Sequence, residues 1–278
     1  MSLEQTKNQR AVSIVIPCSD DPLIGRCLES IDENIETIVS LNAPSSQVLE
    51  ILAMYPNTKT ITSQIKGIAR AYNLGIESAT HDRILLMDSD CVFSQGTIAR
   101  MDDLASEYSV VKGKVQFQHN NKVSEVVARL REFTTSDQIN AYSPPLLFDR
   151  RIIDQIGYYF HPSLIWSEDA DFDRRVKQAG IPIGYDPEAT ILHKPLTIPD
   201  DLRSAFFYGV GRQIGKEVGV YSPHTFHSFV DNVAKVSETT IDIYKSKDAL
   251  VAAYYLFLWN PAFRIGTFTQ HYIKNYGI

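Results

Sequence analysis

The chain has 278 residues, 44% hydrophobic and 22% charged, enough for one large domain with a substantial core or a domain with an extension. A net charge of -6 and a pI near 5.6 exclude a general basic field for nucleic acid. Three cysteines, Cys18, Cys27 and Cys91, lack paired ligand spacing, which excludes a disulfide framework or structural zinc site and points to a reducing compartment.

The stretch from Met1 to Arg10 is polar, without the apolar centre of a signal peptide, and no run reaches the roughly 20 apolar residues of a spanning helix. A cytoplasmic protein, or one peripheral to the inner face of a membrane, is expected. Val12-Ser13-Ile14-Val15-Ile16 is a β-rich run stopped by Pro17, after which Leu23, Ile24, Cys27, Leu28 and Ile31 recur at helical spacing. Residues 36–41 read as a second strand, 47–54 as a helix ended near Pro56, 59–63 as a third strand and 67–78 as a helix. The apolar run Arg83-Ile84-Leu85-Leu86-Met87 then ends in Asp88-Ser89-Asp90, and Ile98, Met101, Leu104, Ala105 and Tyr108 mark an amphipathic helix before the run 110–117.

Alternating strands and helices imply an α/β fold with a mostly parallel sheet flanked by helices. Ligands of such sheets sit beyond the carboxyl ends of the strands, where residues 17–21, 41–45 and 88–90 all fall. After residue 117 the alternation weakens. A helical stretch over 124–139 precedes Pro144-Pro145, a second acidic cluster follows at Trp166-Ser167-Glu168-Asp169, and residues 189–192 form a β-like run before His193. The C-terminal region is aromatic, with Phe206, Phe207, Tyr208, Tyr254, Tyr255, Phe257 and Trp259.

Asp88-Ser89-Asp90 suits Mg²⁺ or Mn²⁺, whose open positions would take phosphate oxygens and water. The plainer reading is a loop whose aspartates cap turns or the next helix; the place of the pair at the end of the fourth strand favours the cation. Glu168 and Asp169 have two readings as well. Ser167 followed by two acids is what a capped helix start looks like, whereas a carboxylate beside the apolar wall of Trp166 serves as a general base on an acceptor hydroxyl. His193 is either a surface residue at a strand end or a neutral third ligand that tilts the site toward Mn²⁺. Lys66 and Arg70, beside Asn73, either neutralise a diphosphate or form a solvated helix face. Gly209-Val210-Gly211 follows an aromatic helical run rather than a strand and carries little weight as a phosphate loop.

In order and spacing, Val12 to Pro17, the run Lys66-Gly67-Ile68-Ala69-Arg70-Ala71-Tyr72-Asn73-Leu74-Gly75-Ile76, Ile84 to Asp90, Phe148-Asp149-Arg150-Arg151 with Ile156-Gly157, Glu168-Asp169 with Arg175 and Gly180, and His193 resemble the family-2 glycosyltransferases of the GT-A fold. The resemblance spans roughly residues 11–215. It implies a polar tail over 1–10, a GT-A domain over 11–215 with a nucleotide-sugar half (11–117) and an acceptor half (118–215), and a helical extension over 216–278. It implies a nucleotide-diphosphate sugar as donor, Mn²⁺ or Mg²⁺ on Asp88, Asp90 and His193, and Asp88 and Ser89 near the nucleotide. Asp169 is implied as the base of an inverting transfer, with Glu168 and Trp166 touching the donor sugar or acceptor. One base suffices, because a metal stabilises the departing diphosphate.

Two departures stand out. The loop after the second strand, which in the family commonly carries a base-reading aspartate, runs Val39-Ser40-Leu41-Asn42-Ala43-Pro44, so Asn42 is expected to substitute and uridine to be the base. The first loop is Pro17-Cys18-Ser19-Asp20-Asp21, with Asp20 or Asp21 reaching the base or ribose and Cys18 a small loop residue, since an inverting route needs no nucleophile. A sugar nucleotidyltransferase would need a glycine-rich basic loop where residues 17–22 are neither. A glycoside hydrolase would need two carboxylates flanking a glycosidic bond. A catalytically silent nucleotide-sugar-binding module keeps every residue named. The acceptor is a saccharide, a lipid-linked compound or another hydroxyl. The apolar stretch 249–259 reads, in this order, as a buried helix, a homodimer contact or an interfacial segment.

Overall fold

The computed structural model describes residues 9–137, 139–222, 226–245 and 248–274. Residues 1–8 of the expected tail lie outside the described residues, and Gln9 and Arg10 belong to the first strand. Strands and helices alternate as β1 (Gln9–Cys18), α1 (Ile24–Glu29), β2 (Asn34–Leu41), α2 (Ser46–Ala53), β3 (Lys59–Thr62), α3 (Ile68–Ser78), β4 (Arg83–Leu86), β5 (Cys91–Phe93), α4 (Thr97–Leu104) and β6 (Val110–Phe117). Next come α5 (Lys122–Glu132), β7 (Leu146–Asp149), α6 (Ile153–Ile156), α7 (Glu168–Gln178) and β8 (Ile183–His193). The C-terminal helices are α8 (Ile198–Glu217), α9 (Phe226–Lys245), α10 (Ala249–Tyr254) and α11 (Asn260–Lys274).

The helix expected over 124–139 is α5 followed by a π-helical turn, Phe133–Asp137. Its start is fixed by Asn121, whose side chain accepts from the N–H groups of Val123 and Ser124.

All eight strands join one sheet in the order β3-β2-β1-β4-β7-β6-β8-β5. β3, β2, β1 and β4 run parallel; β7 lies antiparallel between β4 and β6, and β8 is parallel to β6 and antiparallel to β5. The sheet is therefore mixed, with its parallel part in the half that the strand–helix rhythm predicts. Side-chain alternation sends Ile14, Ile16, Leu85 and Met87 to one face, packed under α1, α2 and α4, and Val15, Ile84 and Leu86 to the other, against α3 and α7. Both faces are buried, which is why these strands read as unbroken apolar runs.

A third cluster joins Val127 and Leu130 of α5 to Val251, Ala252, Tyr254 and Tyr255. The stretch 249–259 is thus buried on one side, while Leu250 and Phe257 are largely exposed. No helix among the described residues is long and apolar enough to cross a membrane.

Register does one thing that matters for chemistry. β8 pairs His193 with Cys91 on one side and Phe117 on the other, so the histidine lands beside the acidic step although about 100 residues separate them in the chain.

Candidate active site

β4 carries the fully buried Leu86 and Met87 to the sheet rim, where the chain turns through Asp88, Ser89 and Asp90 into β5. The two aspartates meet different surroundings. Asp88 accepts a 2.7 Å hydrogen bond from the Tyr72 hydroxyl, which lies 2.9 Å from Ser143 Oγ. Burial, then the charges of Asp90 and Asp169, pushes its carboxyl up to about 7.

Asp90 Oδ2 lies 3.5 Å from His193 Nε2 and 3.1 Å from Lys194 Nζ. Lys194 Nζ is also 3.4 Å from Asp21 Oδ2. Burial of this lysine works against its charge, but Asp90 and Asp21 outweigh it and raise the pKa.

His193 Nδ1 lies 2.7 Å from the Lys194 carbonyl. That oxygen can only accept, so Nδ1 carries the proton and Nε2 presents its lone pair. Burial lowers the imidazole pKa and keeps the ring neutral.

Asp90, Cys91 and His193 form the one group among the described residues whose ligand atoms lie within 4.8 Å of one another. Cys91 is a poor hard-cation ligand, because burial raises its thiol pKa well above normal. A carboxylate oxygen and a neutral imidazole nitrogen on one spot fit Mn²⁺ or Mg²⁺, the former better. Asp88, expected as a third ligand, stands outside this group.

At the end of β1, Pro17 is half-buried, Cys18 buried, and Ser19 and Asp20 exposed. Burial pushes the Cys18 thiol up, consistent with a structural role. The N–H of Asn42 donates to the Cys18 carbonyl at 2.9 Å, tying the loops after β1 and β2 together, while Asn42 Oδ1 is buried without a hydrogen-bond partner. Lys66 is exposed, and Arg70 lies half-buried on the first turn of α3. Asn73 is a structural tie, with its amide exchanging hydrogen bonds with the Phe160 backbone at 2.8 and 3.1 Å.

Ser167 precedes α7 as expected, yet its side chain caps nothing. Trp166 and Ser167 have φ of 53° and 96°, left-handed values that cost energy without glycine. The turn is held from α8 and beyond: Ser167 Oγ donates to the Tyr208 carbonyl at 3.1 Å, and the Tyr221 hydroxyl donates to the Ser167 carbonyl at 2.8 Å. Gly211 makes the approach possible, since a Cβ there would sit 1.7 Å from the Trp166 carbonyl oxygen. The simple cap reading therefore fails in its detail: the acids follow a strained turn anchored on α8. Trp166 is 39% exposed and stacks on Phe207 at 5.8 Å.

Glu168 is 6% exposed, with Oε2 buried and unpartnered. Burial, then Asp169, raises its pKa well above the carboxylate range. Asp169 accepts from the Ala170 N–H at 2.7 Å. Burial brings its carboxyl up to about 6, while that hydrogen bond and the charge of Lys112 hold it down. Asp171, on the same turn, is used structurally by Tyr158, Arg174 and Arg175.

Lys112 escaped the sequence reading. It is fully buried in β6, and its Nζ donates to the carbonyls of Tyr142 and Pro144 at 2.6 and 2.7 Å. Burial lowers its pKa to about 7, against the pull of Asp169 and Asp88. A lone lysine interrupting Val110-Val111-Lys112-Gly113 was the available signal.

Residues 13–156, just over half of the chain, match the model of glycosyl transferase family 2. TarS residues 1–349 from S. aureus superpose with a TM-score of 0.53 at 16% identity, covering 95% of this chain and 91% of that one. The same TarS fragment in complex with UDP-GlcNAc gives 0.52 at 14% identity, with coverage of 95% and 92%. The mannosyltransferase PcManGT from Pyrobaculum calidifontis, in complex with GDP-Man and Mn²⁺, gives 0.57 at 15% identity, with coverage of 96% and 76%. At these identities the likeness is one of fold. No curated protein sequence matches the chain.

Proposed function

Because the chain belongs to glycosyl transferase family 2, we propose that it transfers a sugar from a UDP-sugar to an acceptor hydroxyl with inversion, using a divalent cation and Asp169 as base. The observation that carries this reading is the meeting of the two acidic steps: the Tyr72 hydroxyl links Asp88 to Ser143, the flanking Tyr142 and Pro144 carbonyls hold Lys112 Nζ, and Asp88 and Lys112 feel the charge of Asp169. Groups about 80 residues apart in the chain thus share one electrostatic site.

In this reading Asp90 and His193 hold the cation, with Asp88 behind them. When bound, the cation supplies charge stabilisation for the departing diphosphate. Asp169, with a carboxyl near 6, is largely ionised at neutral pH and close enough to it to take a proton from the acceptor hydroxyl. Glu168, kept neutral by burial, offers a hydroxyl donor to the sugar or acceptor. Trp166 supplies an apolar face for a sugar ring. Asn42 Oδ1 accepts from the imide N–H of uracil.

Thermal melts with UDP-sugars and GDP-sugars, each with and without Mn²⁺, test donor and metal together. Stabilisation by a UDP-sugar only when Mn²⁺ is present, with UDP released on turnover, is the expected result. Equal stabilisation without Mn²⁺, or by GDP-sugars alone, sinks the metal or the base assignment respectively. The exposed apolar residues Leu250 of α10, Phe257 of the π-helical turn that follows it and Phe268 of α11 form the surface assigned to a second copy or to a membrane carrying a lipid-linked acceptor. Sizing chromatography and liposome sedimentation separate the two, and a monomer that stays in the supernatant removes both.

A further inference from the structure

β8 ends at His193, and the next residue does two separate jobs. Its carbonyl fixes the proton on His193 Nδ1, at 2.7 Å, while its ammonium reaches across to Asp90 Oδ2 at 3.1 Å. The imidazole Nε2 faces that same Asp90 oxygen from 3.5 Å. The ammonium and the imidazole lone pair thus converge on one carboxylate oxygen, so any cation held between Asp90 and His193 has the ammonium as its neighbour. A divalent ion bridging Asp90 and His193 at ordinary bond lengths would come within roughly 5 Å of Nζ, where like charges repel strongly in a partly dehydrated cleft.

We propose that Lys194 is a resident counter-ion of Asp90, occupying its carboxylate until a divalent cation displaces it, so that metal loading is coupled to arrival of the donor diphosphate. This rests on the metal-diphosphate reading above. The side chain is built to leave: it is 44% exposed, on a four-carbon stem, and Asp21 Oδ2 at 3.4 Å gives it a second anchor. Asp21 closes the loop after β1, beside the exposed Ser19 and Asp20. An ammonium released from Asp90 but retained near Asp21 therefore stays on the donor side, where a diphosphate would give it a new anionic partner. The backbone carbonyl stays in place throughout, so His193 remains the correct tautomer whether or not the ammonium has moved.

Binding of metal and diphosphate is then reciprocal: each removes the obstacle to the other. A merely structural lysine predicts the reverse sign, because deleting it would loosen the Asp90 region and weaken metal binding. The test is calorimetric titration of Mn²⁺ alone into the native protein, Lys194→Met, Lys194→Gln and Lys194→Arg, repeated with UDP present. The Met and Gln variants are expected to bind Mn²⁺ about twofold to fivefold tighter than native, the factor typical of removing one like charge at a partly exposed site. Arg, which keeps the charge, should match native, and the gap between native and Met should narrow when UDP is present. Equal or weaker Mn²⁺ binding by both Met and Gln overturns the proposal while leaving the metal reading intact. Absence of Mn²⁺ binding in all four proteins, with and without UDP, overturns both.

Discussion

At Asp90 the protein sets a carboxylate on the sheet rim and surrounds it with His193 and Lys194; at Glu168 and Asp169 it encloses two carboxylates and sets the buried Lys112 against Asp169. The first arrangement suits cation exchange, since an exposed ammonium can be traded for a metal. The second suits proton transfer, since enclosure lifts both acids toward neutral pH and splits their roles. Position produces the contrast. Asp90 follows a strand that runs out of the sheet, whereas the pair opens a helix whose first turn is pressed under α8, and the nearby Arg174 and Arg175 are consumed by Asp171.

Removing the proposed base breaks this contrast most severely. Asp169→Asn is expected to lower turnover by about 10³-fold, measured as UDP release, while nucleotide-sugar binding measured by calorimetry stays within a few-fold. Loss of the enclosure itself comes next: Gly211→Ala drives a methyl into the Trp166 carbonyl and should cost about 3 kcal/mol in urea denaturation, with turnover falling alongside.

Asp88→Asn tests the cost of burial. The folded carboxyl titrates near 7 against an ordinary 3.8, so the native state holds its proton more tightly than the unfolded chain does. The penalty is absent below about pH 4, grows between about 4 and 7 and is flat above. The Asn variant should therefore gain up to about 4 kcal/mol over native at pH 8 in metal-free buffer and nothing at pH 4. A gain at pH 4 as large as at pH 8 would refute the electrostatic account. The smallest effect is expected for Lys112→Met. Its charge lowers the pKa of Asp169, so the acid limb of the kcat/KM profile should move to higher pH, with a loss of about tenfold on that limb and less on the plateau. Charges and hydroxyls that face Asp169 from other elements, Asp88, Tyr142, Tyr208 and Tyr221, remain in place and limit the shift.

The N-terminal half was readable because its strands are buried on both faces: runs such as Val12 to Ile16 and Ile84 to Met87 announce themselves by composition alone. β7 was not. Four residues after two prolines carry little pattern, and their antiparallel insertion between β4 and β6 is decided by pairing across long chain separations. β5, three residues long, hid behind Asp90 for the same reason. At the candidate site, Asp88, Asp90, Glu168, Asp169 and His193 were all named from the sequence, and Ser167 stands at the N-cap as expected, but its hydroxyl caps nothing. Ser followed by acids signals a cap, and nothing local reveals that Trp166 and Ser167 adopt left-handed φ under the grip of α8. Lys194 was passed over as a neighbour of His193, because its reach to Asp90 and Asp21 exists only once β8 lies beside β5.

The glycines of α8 couple parts of the chain that share no chemistry. Gly209 lies against the Phe263 carbonyl of α11, where a Cβ would meet oxygen at 1.9 Å, and Gly211, two residues on, lies against the Trp166 carbonyl. With backbone touching backbone at both places, there is no side chain to absorb a shift, so α8 acts as a rigid spacer between the C-terminal helix and the turn that aims the acids. Sequence drift in α11 around Phe263 is then restrained by turnover, and heat-sensitive variants of this protein should map to that helix as readily as to the acidic turn.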